Sequence, residues 1–172
     1  KYIKDALDNH RDDPTTLAWA GHTIAYLGHQ RETGVHALER ALQLNPNSAA
    51  ALRSIGWVSN YIGDANRAIE SFDALRRLSP LDPVTYATYS GLGAAYSIAG
   101  RLEEAVKALE HSRALSVDFT STLLDLVGSY VALGRDDDAQ AAGDKLRTRQ
   151  PALTIALFRA TTPHQCVPYI DR

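Results

Sequence analysis

The chain has 172 residues, 45% of them apolar, and a formal net charge of −2. That is enough apolar material for a continuous core, and too little positive charge for nucleic acid or an anionic membrane to be the main partner. Cys166 is the one cysteine, so neither a disulfide framework nor a cysteine-based metal knuckle can form; a reducing, cytoplasmic setting is the expectation. No apolar run approaches the ~20 residues that span a bilayer, and no signal peptide opens the chain. The absence of methionine and the start at Lys1 predict a fragment of a longer protein.

Taken in chain order, residues 1–13 read as the tail of an earlier helix, with Tyr2, Ile3, Ala6 and Leu7 on its apolar side. A helix is predicted over 15–27, with Trp19 and Tyr26 in large-residue slots, and another over 32–44. Gly34, Leu38, Ala41, Leu42 and Pro46 fit this second helix if the turn before it is one residue short. Helices follow over 48–61, 65–78, 83–98, 102–115, 119–132, 136–149 and 152–160. Leu153, Ile155, Ala156 and Leu157 give the last one an apolar side suited to closing the array.

Glycines and prolines place the boundaries. Gly28, Gly63, Gly100 and Gly134 sit where helices end in a left-handed residue. An acidic or polar step follows each: Arg31-Glu32, Asp64, Glu103-Glu104 and Asp136-Asp137-Asp138. Acidic residues in a first turn complement the helix dipole. The Asp136–Asp138 run therefore reads as helix-start chemistry; a calcium loop needs ligands at alternating positions over about twelve residues. Pro46, Pro80 and Pro151 each close a helix. Ser48 reads as an N-cap, and Asp82-Pro83 as an N-cap followed by a proline at the first helical position. No segment alternates with the period of a strand.

The helices repeat. Leu92-Gly93, Tyr96, Gly100, Ala105 and Leu109 recur as Leu126-Val127, Tyr130, Gly134, Ala139 and Gly143, and earlier as Ile55-Gly56, Ser59, Gly63, Ala68 and Phe72. The period is about 34 residues, with small residues at fixed offsets. Tyr89, Leu92, Gly93 and Tyr96 share one helix face, and Gly93 reads as the notch that admits its partner helix. Ala68 and Ala105 do the same from the other side, while Ile69, Phe72, Leu75, Leu78, Val106, Leu109 and Leu115 read as core. Val117 stands where a closing proline is expected, and Gly143 where a large residue is expected.

These residues resemble the tetratricopeptide repeat (TPR) family over 15–153. The resemblance implies an all-α, right-handed solenoid of about four helix pairs, with repeats at 15–48, 49–82, 83–119 and 120–153 and a closing helix and tail at 154–172. A narrower likeness covers 76–160. It rests on Arg77-Leu78-Ser79-Pro80-Leu81-Asp82-Pro83, Gly91-Leu92-Gly93-Ala94-Ala95-Tyr96, Ala99-Gly100-Arg101, Glu103-Glu104-Ala105 and Pro151-Ala152-Leu153-Thr154. This segment resembles the C-terminal TPR region of bacterial class III adenylate/guanylate cyclases and of related winged-helix transcription activators.

The resemblance implies a binding module that holds a peptide or partner domain in a groove lined by the first helix of each pair. By that register the groove face carries Arg53, Trp57 and Asn60, then Ser90, Ala94 and Ser97, then Leu124 and Gly128. The alternative for Arg53 and Trp57 is inter-repeat packing with a solvated arginine. The lysine and asparagine clamp with which TPR co-chaperones hold a C-terminal carboxylate is not matched. His22, His29 and His36 recur evenly, but a glycine turn interrupts them and no metal face follows. His10, His111 and His164 read as surface residues. Cys166 has no readable histidine partner, and no phosphate loop or nucleophile elbow is present. The expected chain is therefore not an enzyme and needs no cofactor. It regulates a larger bacterial signalling protein by partner binding or by self-association through an end face. The competing parents are a nucleotide cyclase, a winged-helix activator, or none, as in a freestanding scaffold.

Overall fold

A computed structural model describes residues 13–28, 30–154 and 157. Every described element is helical: α1 (Pro14–Tyr26), α2 (Arg31–Leu44), α3 (Ala49–Ile62), α4 (Ala65–Leu78), α5 (Thr85–Ile98), α6 (Leu102–Leu115), α7 (Thr120–Ala132) and α8 (Asp136–Arg149). All helices expected between 15 and 149 are present, with ends displaced by a residue or two. The helix expected over 1–13 lies almost wholly outside the described residues. The one expected to begin at 152 does not begin there. Residues 151–152 form a turn and 153–154 have no regular structure, and of the remainder only Leu157 is described.

Local chemistry explains most of the ends. Asp13 accepts from the Thr16 amide at 2.7 Å and Pro14 opens α1; Ser48 caps α3 through the Ala51 amide at 3.3 Å; Asp64 caps α4 through the Arg67 amide at 3.1 Å. Each satisfies an otherwise orphaned donor. Gly63, Gly100 and Gly134 have φ of 81°, 75° and 69°. In each of these turns the next amide reaches back to the same kind of carbonyl: Asp64 to Ser59, Arg101 to Tyr96 and Arg135 to Tyr130, all at 2.9 Å.

Two boundaries correct the sequence reading. Gly28 is not left-handed. It is needed because a Cβ there would lie 2.7 Å from the Ile24 carbonyl oxygen. Without the tight left-handed turn the first connection is one residue longer than the others, not shorter: compare Gly28 to Gly34 with Gly63 to Ala68 and Gly100 to Ala105. Asp82 does not cap a helix starting at Pro83. Its carboxylate accepts from the Val84 amide at 2.9 Å and pairs with Arg53, so the chain makes one extra turn before α5 starts at Thr85.

Helices pack in sequence as antiparallel pairs (α1–α2, α3–α4, α5–α6, α7–α8). The first helices of the pairs pack on one another along one row, α1 on α3, α3 on α5 and α5 on α7. The second helices, α2, α4, α6 and α8, pack on the next first helix while their own backbones stay apart, α2 and α4 being joined through the Glu39–Arg67 ion pair at 3.0 Å. A row in direct contact is the shorter arc, so the first helices line the inner, concave side and the second helices splay over the outer side. This is the TPR solenoid.

One side chain of each second helix sets the spacing. Phe72, fully buried on α4, lies against Gly56 of α3 and Gly91 of α5; a Cβ on Gly56 would fall 2.6 Å from its ring, and one on Gly91 closer still. Leu38 against Gly21 and Leu109 against Gly93 repeat the arrangement. The last pair exchanges the two sizes. Val127 takes the glycine slot and Gly143 the large slot, and Val127 is the neighbour a Cβ on Gly143 would meet, at 4.0 Å. Gly143 thus sits mid-helix with room for a methyl group. Gly143→Ala should raise stability by about 0.5–1 kcal/mol through helix propensity. Urea unfolding measures this, and an unchanged or lower midpoint would show that the slot is not open.

Candidate functional site

The inner row carries the residues singled out from the sequence, but it does not present them equally. Arg53 is half-buried and forms an ion pair with Asp82, which sits in the connection leading to α5. Trp57 is half-buried, edge-on to Phe72 at 5.8 Å and tilted toward Tyr61 at 6.4 Å. Leu124 is half-buried.

Asn60, Ser90, Ala94, Ser97 and Gly128 are buried, which corrects their expected exposure. They lie where one inner helix presses on the next, and their small or compact side chains let the backbones approach. Asn60 donates from Nδ2 to the Gly91 carbonyl at 2.9 Å, and the Ser97 and Ser129 hydroxyls bond at 2.9 Å. Ser112 adds a third link, donating to the Tyr86 carbonyl at 2.7 Å and lying 2.8 Å from the Thr122 hydroxyl. Such bonds each contribute about 0.5–1.5 kcal/mol net. Asn60 Oδ1 and Ser90 Oγ are buried with no partner among the described residues, so this seam is tight but not fully satisfied.

What the sequence reading missed is an aromatic strip across α1 and α3. His22 stacks on Tyr26 at 6.2 Å, both rings meet Tyr61 at 5.9 and 5.5 Å, and Trp57 continues the run. Leu78 and Leu115, expected in the core, are exposed because they are the last residues of α4 and α6. Tyr26 and Trp19 are the residues expected in the large slots of α1. Both are instead exposed, at 38% and 56%, because Leu17, Ala18, Gly21 and Ala25 form the packed face of α1. A signal was available: Tyr26 and Tyr61 each stand two residues before a turn glycine, Gly28 and Gly63. Burial lowers the His22 pKa below its ordinary value, and burial with the Tyr26 phenol alongside raises that of Tyr61. The strip is therefore neutral and aromatic at pH 7. Arg53 stands on the same helix with its charge already engaged by Asp82. Surfaces of this kind, large rings with polar tips, are what protein interfaces concentrate.

Among the described residues no group of three or more histidine, cysteine or acidic side chains comes together to hold a metal, and no helix is long and apolar enough to cross a membrane. No protein-family profile matches the chain, and no curated protein matches it. Solved structures do. PilW, a type IV pilus biogenesis factor, superposes with a TM-score of 0.76 at 22% identity, over 90% of this chain and 70% of that one. PilF of Pseudomonas aeruginosa gives 0.73 at 14% identity, over 92% and 73%. TTC0263, a TPR protein of Thermus thermophilus, gives 0.71 at 20% identity, over 87% and 80%. The class defined by the fold is a TPR solenoid.

The buried His22 has a thermodynamic consequence. In the unfolded chain it takes up a proton near 6.5, while in the folded protein it does so only at lower pH. The unfolded state therefore binds more protons in that window, and stability falls as pH drops through 6.5. Unfolding midpoints measured from pH 7.5 down to 5 should decline less steeply in His22→Gln. An identical slope would mean that His22 is not held neutral.

Proposed function

We propose that the inner face of the first two repeats binds an extended peptide or a helix of a partner protein. The aromatic strip of His22, Tyr26, Trp57 and Tyr61 carries this reading. It is the part of the inner row where large rings reach the surface, with Tyr26 exposed and His22 and Trp57 half-buried around a buried Tyr61, whereas the third repeat places the small, buried Ser90, Ala94 and Ser97 there. Of the residues first chosen from sequence, Arg53 and Trp57 stay in the proposed site. Asn60, Ser90, Ala94 and Ser97 act beneath it by fixing the distance between inner helices.

The proposal extends to the setting. On the likeness of residues 76–160 to cyclase-linked and winged-helix-linked repeats, the module is cytoplasmic and couples partner binding to an attached output domain, a nucleotide cyclase in the first instance. Within that segment Asp82 has a structural duty of its own, pairing with Arg53 and capping a turn, so its presence argues less for a particular parent than its place in the motif suggests. A freestanding scaffold is the second reading, and the fold shared with PilW over 90% of this chain and 70% of that one is as compatible with it.

The test compares partner recovery by the wild-type chain, Trp57→Ala and Arg53→Glu, with affinities measured by calorimetry for whatever is recovered. A central aromatic anchor is worth about 2 kcal/mol or more, roughly thirtyfold in affinity. Trp57→Ala should weaken binding by that order. Equal affinity across the three proteins would remove the proposed site.

A further inference from the structure

The outer side of the solenoid has a feature that the inner site does not use. Because the backbones of α4 and α6 stay apart, a groove of about 410 Å³ lies between them, floored by α5 through Leu92, Tyr89 and Tyr96. It continues into a second hollow of about 260 Å³ that runs toward Ser79 and Pro80, and Arg76 and Tyr89 line both. Tyr89 is the pivot. The Arg76 guanidinium lies 5.4 Å over its ring, and the His111 ring packs edge-on against it at 4.1 Å.

The charges around this groove are unequal. Its acidic groups are already engaged. Glu104 is held by Arg101, and Asp73, beside the groove on α4, is held by Arg76 at 2.8 Å. Arg77 and Lys107 line the two hollows, are exposed, and make no ion pair or hydrogen bond among the described residues. An apolar, aromatic floor between two unengaged cations selects for negative charge flanking an apolar group.

We propose that this outer groove is a second binding site that takes an acidic peptide segment of a partner protein, with a large apolar side chain over Tyr89 and carboxylates toward Arg77 and Lys107. It is separate from the inner aromatic strip, so the module can engage two segments at once.

The probe is a short fluorescein-labelled peptide of Asp and Glu with a central Phe, set against a Lys/Arg peptide of the same length and centre, both read by fluorescence anisotropy on the whole chain. The acidic peptide should bind, and added salt should weaken it. The Arg77→Glu/Lys107→Glu double variant should lower its affinity by about tenfold or more, since a like charge replaces each attractive one. Trp57→Ala should leave the affinity unchanged. Both substituted cations are exposed, so folding is not at stake, and circular dichroism confirms it. Equal binding of the two peptides, no binding of the acidic one, or loss on Trp57→Ala with retention in the double variant would each overturn the proposal.

Discussion

The Phe72 ring, seated between Gly56 of its own repeat and Gly91 of the next, is the contact on which the rest of the array depends. A solenoid holds together only through neighbour-to-neighbour interfaces, and this ring serves two of them at once. It ties α4 to α3 within the pair and to α5 across the junction. Neither glycine can be replaced by a residue with a Cβ without moving the ring. The same large-into-small fit recurs at Leu38 and Leu109, and its reversal at Val127 and Gly143 shows that the fit, not the identity of either residue, is what each repeat preserves.

From that spacing follows the division of labour between the two sides. The ring seats α3 against α5, where Asn60 reaches the Gly91 carbonyl, and the next junction is closed by Ser97 and Ser129. A row packed this closely has no room for a deep groove in its middle. What it offers is the aromatic strip on α1 and α3, where Tyr26 is exposed and His22 and Trp57 are half-buried beside the buried Tyr61. On the outer side the same geometry works in the opposite sense. The second helices are held apart, and the gap between α4 and α6 exposes the flank of α5 around Tyr89.

Much of the fold was legible because helix ends are written in local chemistry. Gly63, Gly100 and Gly134 with their following acidic or polar steps, and Ser48 and Asp64 as caps, specify their boundaries without reference to anything distant. The failures are cases where a distant group decides. Asp82 looks like a cap in sequence, but Arg53 of the previous repeat claims its carboxylate and shifts the start of α5. Gly28 looks like its three counterparts, yet its role is to clear the Ile24 carbonyl. The site was legible in part only. A helical register says which residues share a face, not how near the next helix comes, and that distance decided that Asn60, Ser90, Ala94 and Ser97 are buried while Tyr26 is open.

The central claim, that the Phe72 ring fits a notch shared by Gly56 and Gly91 of successive first helices, is tested most directly by a double-mutant cycle between Gly91→Ala and Phe72→Leu, read as urea unfolding free energies. In the wild-type background Gly91→Ala should destabilise by about 1–3 kcal/mol through overpacking. In the Phe72→Leu background, where the ring no longer fills the notch, that loss should shrink to a small fraction, giving a large coupling between the two sites. Strictly additive effects would contradict the account, because they would mean that Gly91 and Phe72 do not share the contact that sets the spacing of the helices.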